Sequence, residues 1–332
     1  MDYRPLGTTG LHVSVLGFGC GNVGGLMVRG TPALRERAVA RALELGINYF
    51  DTAPLYGAGQ SEVHLGQALR TLRAQAYVGT KCRLSLAEVG DLRGAIARSL
   101  EASLQRLGRE QVELFQLHNR VGLARSADAD TLSVEEVLED VLAAFQRLQQ
   151  QGKVRFYGFT GLGDTAALRR VVEAGTFHTV QVCYNLLNPS AAHAVPPGFP
   201  AQDFDGLLRH AQARQMGAIG IRVLAAGALS GSASRHPLAA PHVEPLGTGP
   251  DYATDVQRAQ QLRVLVQEGV VQDLTEAALR FALDAPAMAT VLVGVSSLDH
   301  LEAAAAAVAK GPLPEAAWPH LQALWQQWAS RA

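Results

Sequence analysis

A chain of 332 residues with 48% apolar side chains is long enough for one large domain or two small ones, and for a substantial core. Its formal net charge of −1, with no block of like charge, argues against a nucleic-acid binder or a protein held on an anionic membrane. MDYRPLGTTG is not a signal peptide, no apolar run approaches the roughly 20 residues of a membrane span, and the three scattered cysteines (Cys20, Cys82, Cys183) read as free thiols; a cytoplasmic protein is expected.

In chain order, Tyr3 to Gly10 and Leu11 to Val15 read as a β-hairpin around the turn TTG, and Leu16 to Cys20 as the first strand of the main sheet. Next comes Gly19-Cys-Gly-Asn-Val-Gly24, spelled like the G-x-G-x-x-G of a dinucleotide fingerprint. That fingerprint needs a helix opening on its glycines and an acid about 20 residues later. Here GLMVRG follows as loop, the helix opens at Thr31-Pro32 as an N-cap with Pro at its first position, and Asp51 lies too far on. A flexible turn at a strand end is expected instead.

From there strands and helices alternate. Helix 33–45 stops at Gly46; strand 47–53 precedes helix 61–72; strand 76–82 precedes helix 91–107, with Gly108 beyond. Strand 112–118 and the polar stretch 120–131 lead to a helix opened by the capping box Ser133-x-x-Glu136. That helix carries Val137, Leu138, Val141, Leu142, Phe145 and Leu148 at helical spacing and stops at Gly152. Strand 154–160 is followed by helix 164–173, strand 179–185 by helix 203–215, and strand 218–224 by an irregular stretch 230–250 and helices 254–268 and 273–283. Strand 289–295 and helix 298–309 follow, and Trp318, Trp325 and Trp328 close the chain in and just before a terminal helix. Counted from Leu16, each strand with its helix is one unit of a (β/α)8 TIM barrel, formed as a single domain over 1–332. The hairpin would plug the N-terminal mouth of the barrel, and the alternative architecture is an open doubly wound sheet.

Barrel chemistry sits at the C-terminal ends of strands. Asp51, Lys81 and His118 end three successive strands, and Tyr56 stands in the loop after the first of them. Lys81 is one of only three lysines among 29 basic residues, the rest being Arg, which hints that its position needs an ammonium. An ammonium beside a phenol favours the phenolate, a carboxylate holds that ammonium in place, and an imidazole can donate to a substrate oxygen. Such a set protonates or deprotonates an oxygen whose charge changes during reaction. No metal-ligating motif is spelled by the dispersed histidines.

Y-F-D-T-A-x-x-Y-G with S-E-x-x-L-G, then T-K and L-F-Q-L-H, resembles the aldo-keto reductase superfamily, and the likeness runs from LGFGCG to VLVGVSS. The resemblance implies a (β/α)8 barrel with a hairpin plug, Tyr56 as general acid/base tuned by Lys81 and Asp51, His118 orienting a carbonyl, and a nicotinamide cofactor, NADP(H) or alternatively NAD(H). It further implies cofactor contacts from Gly19, Cys20, Gly21, Asp51, Thr160, Gly161, Gln181, Leu224, Ser296, Ser297 and His300. Some positions depart from the family pattern: Thr160-Gly161 replaces a Ser-Asn pair, His300 replaces an Arg that grips a 2′-phosphate, and Ala303-Ala304 replaces Glu-Asn. Arg83 and Asn119, with Arg120 alongside, join Tyr56 and His118 as candidate substrate contacts. GFTGLG and GCGNVGGLM are similar to sugar-oxidising bacterial members acting as aldose or galactose 1-dehydrogenases, so the expected partner is a small carbonyl compound or a sugar. Two other readings are a Schiff-base lyase with Lys81 as nucleophile and a slow or non-catalytic cofactor-binding sensor.

Overall fold

Alternation along each strand sorts side chains between two cores. In Leu16–Gly19 (β3) and Tyr49–Asp51 (β4), Leu16, Phe18 and Phe50 point into the layer between strands and helices. The same layer takes Val78 of Tyr77–Cys82 (β5), Phe115 and Leu117 of Val112–Leu117 (β6), Phe159 of Val154–Gly161 (β9), Val180 and Val182 of Thr179–Cys183 (β10), and Val291 and Val293 of Met288–Gly294 (β12). Each such fully buried side chain contributes about 1.5–3 kcal/mol. In the computed structural model, which describes residues 1–127, 130–285 and 287–331, these strands and Gly217–Ile221 (β11) close into a parallel barrel. Its order is β3-β4-β5-β6-β9-β10-β11-β12. The expected (β/α)8 architecture holds, and closure rules out the open sheet. Of the polar stretch 120–131, Asp128 and Ala129 lie outside the described residues.

The opposite faces of the strands build a second core inside the barrel. Tyr49, Leu114, Ile219, Ala289 and Leu292 pack there against Leu6, Leu11 and Val13 of the hairpin formed by Tyr3–Pro5 (β1) and His12–Ser14 (β2). The hairpin therefore stoppers the N-terminal mouth with apolar side chains. Asn48 fastens it to the wall: its amide donates to His12 O at 2.8 Å and accepts from Ser14 N–H at 2.7 Å. The strand expected over 47–53 is shorter in the structure, spanning Tyr49–Asp51.

Differences from the expected helices have local causes. Within GLMVRG a short helix, Leu26–Arg29 (α1), follows Gly25, whose φ of +80° only glycine adopts readily. Pro32–Glu44 (α2) is capped by Thr31 as expected, and Gln60–Thr71 (α3) and Leu92–Leu107 (α4) follow. The Ser133–Glu136 capping box is formed at Val134–Glu136 (α5), which passes through a π-turn into Leu142–Gln150 (α6). A short parallel pair, Val121–Gly122 (β7) and Leu132–Ser133 (β8), stands at the two ends of the polar stretch 120–131. After Thr165–Ala174 (α7), the helix expected over 203–215 contracts to Leu207–Ala213 (α8), because Asp205 and Gly206 both take left-handed backbone conformations. Tyr252–Gln261 (α9), Val264–Gln267 (α10), Leu274–Asp284 (α11) and Leu298–Val308 (α12) complete the barrel's helices. All three tryptophans sit on the terminal helix Ala317–Ala329 (α13). The Trp325 indole donates to Leu186 O at 3.0 Å and that of Trp328 to Gln261 Oε1 at 2.8 Å. Among the described residues, no helix is long and apolar enough to cross a membrane.

Candidate active site

Neighbouring strands bring the three strand-end groups together. Lys81 of β5 is 1% exposed and pairs with Asp51 Oδ1 of β4, 4% exposed, in a close buried ion pair. Its other protons go to Thr52 O at 2.9 Å and to Tyr56 Oη at 3.3 Å. The ammonium is thus fully spent and points at the phenol. Asp51 Oδ2 is wrapped by neutral donors: Gln181 Nε2 at 2.8 Å, Tyr49 Oη at 3.2 Å and Gln116 Nε2 at 3.4 Å.

The loop that carries Tyr56 is pinned at several points. Asn22 Oδ1 accepts from Gly57 N–H at 2.9 Å and Asn22 Nδ2 donates to Leu55 O at 3.3 Å. Ser61 Oγ, at the start of α3, donates to Cys20 O at 2.9 Å and meets Thr52 Oγ1 at 2.8 Å. Behind the loop, fully buried Glu62 accepts from Thr80 Oγ1 and from Arg106 Nε, both at 2.6 Å. The GCGNVG turn therefore serves to hold the phenol's loop, through Asn22.

Burial raises the Tyr56 pKa more than Lys81 lowers it, with Asp51 adding to the rise and Arg222 opposing it; the net direction is up. Burial also works against the charge of Lys81, but Asp51 and Tyr56 outweigh it and its pKa rises. A protonated lysine locked on a carboxylate is a poor amine nucleophile, which disfavours the Schiff-base lyase. His118 lies edge-on to the Tyr56 ring, centroids 6.1 Å apart at 89°. Burial, then Lys81 and Arg83, push its pKa down to about 3, so its ring is neutral at working pH. Its buried Nδ1 has no hydrogen-bond partner among the described residues.

The other candidates are scattered around this centre. Gly21 lies beneath the phenol; a Cβ there would stand 3.5 Å from the Tyr56 ring. Gly19, Gly24 and Gly294 pack backbone against backbone: a Cβ on Gly24 would fall 2.4 Å from Gly294 C, and one on Gly19 3.1 Å from Gly294 N. Cys20 is buried. Thr160 Oγ1 donates to Gln181 Oε1 at 3.4 Å, and Gly161 packs on the Gln181 carbonyl. Leu224 opens the turn after β11. Ser296 Oγ donates to Gly24 O at 2.7 Å, and Ser297 caps α12 by accepting from His300 N–H at 3.2 Å. The exposed His300 ring faces His236, centroids 5.7 Å apart. His236 belongs to the irregular segment after β11, which reaches back to α1 where Arg29 Nε donates to Leu238 O at 2.7 Å. Arg83 pairs with Asp130 at 3.4 Å. Asn119 is buried and committed to backbone, bonding Leu84 N and O and Asp130 O, each at 2.8 Å. Among the described residues, no group of three or more His, Cys, Asp or Glu is placed to hold a metal.

Tyr49, Gln116, Asn22 and Arg222 were assigned no role in the site from the sequence. The first two carried a signal: each lies two residues before a named group (Asp51, His118), and strand alternation puts such pairs on one face.

The model of the Aldo/keto reductase family matches residues 15–326. The chain belongs to that family. As an aldo/keto reductase it is an NAD(P)-dependent oxidoreductase. It is similar to the L-galactose dehydrogenase of Arabidopsis thaliana, at 30% identity over 93% of this chain and 88% of the plant protein. The NADH-specific methylglyoxal reductase of Escherichia coli shares 30% identity over 59% of this chain and 63% of that enzyme. Among solved structures, the holo form of aldo-keto reductase AKR11C1 from Bacillus halodurans aligns with a TM-score of 0.71 and 28% identity, covering 98% of this chain and 96% of that one.

Proposed function

We propose that this aldo/keto reductase interconverts a carbonyl and an alcohol on an aldehyde, ketone or aldose, with 1–332 as one domain and Tyr56 as the general acid/base. The observation that carries the reading is the Tyr56 Oη at 3.3 Å from a Lys81 ammonium locked on Asp51, at the C-terminal mouth of the barrel. The nicotinamide cofactor, when bound, supplies or accepts the hydride. In reduction, Tyr56 Oη gives its proton to the substrate oxygen, and Lys81 stabilises the phenolate that remains. In oxidation, Tyr56 takes the alcohol proton. Neutral His118 donates a hydrogen bond to the same substrate oxygen without bringing a competing charge. Burial of Asp51 and Lys81 keeps water from screening their effect on the phenol.

Close backbone packing of Gly19, Gly24 and Gly294 brings the turn after β3 against the end of β12, beside the N-terminus of α12, which suits an anionic group of the cofactor. Thr160, Gln181, Leu224 and Ser297 are its proposed neighbours. His300 is exposed, but partial desolvation and the neighbouring His236 hold its pKa below the ordinary imidazole value, so it grips a 2′-phosphate less firmly than an Arg fork would. Use of both NADP(H) and NAD(H) follows. The similarity to the plant L-galactose dehydrogenase, which extends over most of both chains, favours an aldose as substrate. The burial of Cys20, Cys82 and Cys183 is in keeping with a reducing, cytoplasmic setting.

The test is Tyr56→Phe assayed with a panel of aldoses and small aldehydes, beside titrations that follow nicotinamide fluorescence. Turnover should vanish while cofactor affinity stays within about twofold of the parent, since uniform binding is untouched. A variant keeping more than a few per cent of the parental rate would remove Tyr56 from the role.

A further inference from the structure

Asp51 presents two oxygens to two different environments. Oδ1 faces Lys81, whereas Oδ2 faces the neutral donors Tyr49, Gln181 and Gln116. Tyr49 reaches it from below, on the same face of the same strand. Its ring is 1% exposed and rests on the apolar plug formed with Leu6, Leu11 and Val13. Room for that ring is made by two glycines. A Cβ on Gly79 would lie 2.5 Å from the Tyr49 hydroxyl, and one on Gly17 3.2 Å from the ring. The hydroxyl is a permanent donor: burial and then Asp51 hold its pKa well above the ordinary phenol value.

We infer that Tyr49 is a positioning residue, which fixes the Asp51 carboxylate so that Lys81 is aimed at Tyr56. The inference rests on the proposed role of Tyr56 and adds a layer beneath the four groups already named. Without the Tyr49 hydroxyl, less of the Asp51 charge is taken up by neutral donors at Oδ2. Asp51 then binds Lys81 more strongly, and Lys81 is shared less with Tyr56. Both changes disfavour the phenolate, so the proton affinity of Tyr56 rises. Should a bound cofactor recruit the Gln181 amide, Tyr49 and Gln116 alone would hold Oδ2. The charged and titratable groups facing Tyr56 are Lys81 from β5, Asp51 from β4, Arg222 from the end of β11 and the neutral ring of His118 after β6. Those facing Asp51 also include the Cys20 thiol. Removing the Tyr49 hydroxyl alters none of these side chains.

The experiment compares the pH dependence of alcohol oxidation and carbonyl reduction for the full-length parent, Tyr49→Phe and Gly79→Ala. Tyr56→Phe and Lys81→Met run alongside. Far-UV circular dichroism monitors folding, and nicotinamide fluorescence monitors cofactor affinity. Tyr49→Phe should move the oxidation limb about half a unit to one unit toward alkaline pH and slow oxidation roughly 3- to 10-fold below that limb. KM for the cofactor should stay unchanged. Gly79→Ala, by displacing the same hydroxyl, should move the limb in the same direction. A Tyr49→Phe profile that superimposes on the parent overturns the inference. If Tyr49→Phe does not fold, an unshifted limb in folded Gly79→Ala overturns it equally. A loss confined to folding or to KM, with the limb in place, likewise counts against it. Full activity of Tyr56→Phe would instead sink the underlying reading of the site, a result separable from any behaviour of Tyr49.

Discussion

Lys81→Met removes the only cation that touches Asp51 among the described residues and leaves a carboxylate that is 4% exposed facing a thioether. Breaking a buried pair by deleting one partner costs about 3–5 kcal/mol, because the surviving charge stays desolvated. Three neutral donors at Oδ2 still solvate that charge, which points to the lower end, about 3 kcal/mol. Against a net stability of about 5–15 kcal/mol, this is a large loss. The double variant Lys81→Met/Asp51→Asn removes both charges and keeps an amide oxygen for Tyr49 and Gln181. It should recover most of the loss, giving a coupling of about 2 kcal/mol or more in a double-mutant cycle. Turnover should not recover: both variants should fall at least about a thousandfold, since neither has an ammonium beside Tyr56. Urea unfolding followed by far-UV circular dichroism measures the first effect, and steady-state kinetics the second. The reasoning fails if Lys81→Met is as stable as the parent, or if the double variant is less stable than the single.

Other outcomes follow from groups around this centre. Arg106→Ala leaves fully buried Glu62 without its cation and should lower stability by about 2–4 kcal/mol, read from the urea midpoint. His118 binds its proton near pH 3 when folded but near its ordinary 6.5 when unfolded. The unfolded chain therefore takes up the proton first, so stability falls as pH drops from 6.5 toward 3, by at most about 2 kcal/mol at pH 5. His118→Asn should reduce the difference between urea midpoints at pH 7 and pH 5. Ser133→Ala removes one half of the capping box and should cost about 1 kcal/mol, seen as a lower thermal midpoint.

Much of this was legible in the sequence because it is written locally. Alternation, caps at Thr31 and Ser133, and glycines at helix ends delimit the repeating units, and eight such units can close into a barrel. Asp51, Lys81 and His118 could be placed together because each ends a strand. What escaped is set by contacts across the barrel. Nothing near Asn119 in the chain says that its amide will be consumed by Leu84 and Asp130. Likewise, Gln181 bonding Asp51, 130 residues away, appears only when the barrel closes. The direction of the Tyr56 shift also differs from the lowering expected of a nearby ammonium. Sequence names the neighbour but not how dry the phenol is, and burial decides the balance.

The three tryptophans carry one last consequence. Since all of them ride on the terminal helix, their emission senses whether that helix is seated, and says little directly about the barrel wall. Far-UV circular dichroism, by contrast, weighs every strand and helix. If the two signals change at different urea concentrations, the terminal helix lifts away as its own cooperative unit before the barrel opens. If they coincide, the indole bonds to Leu186 and Gln261 bind this last segment into a single transition with the rest.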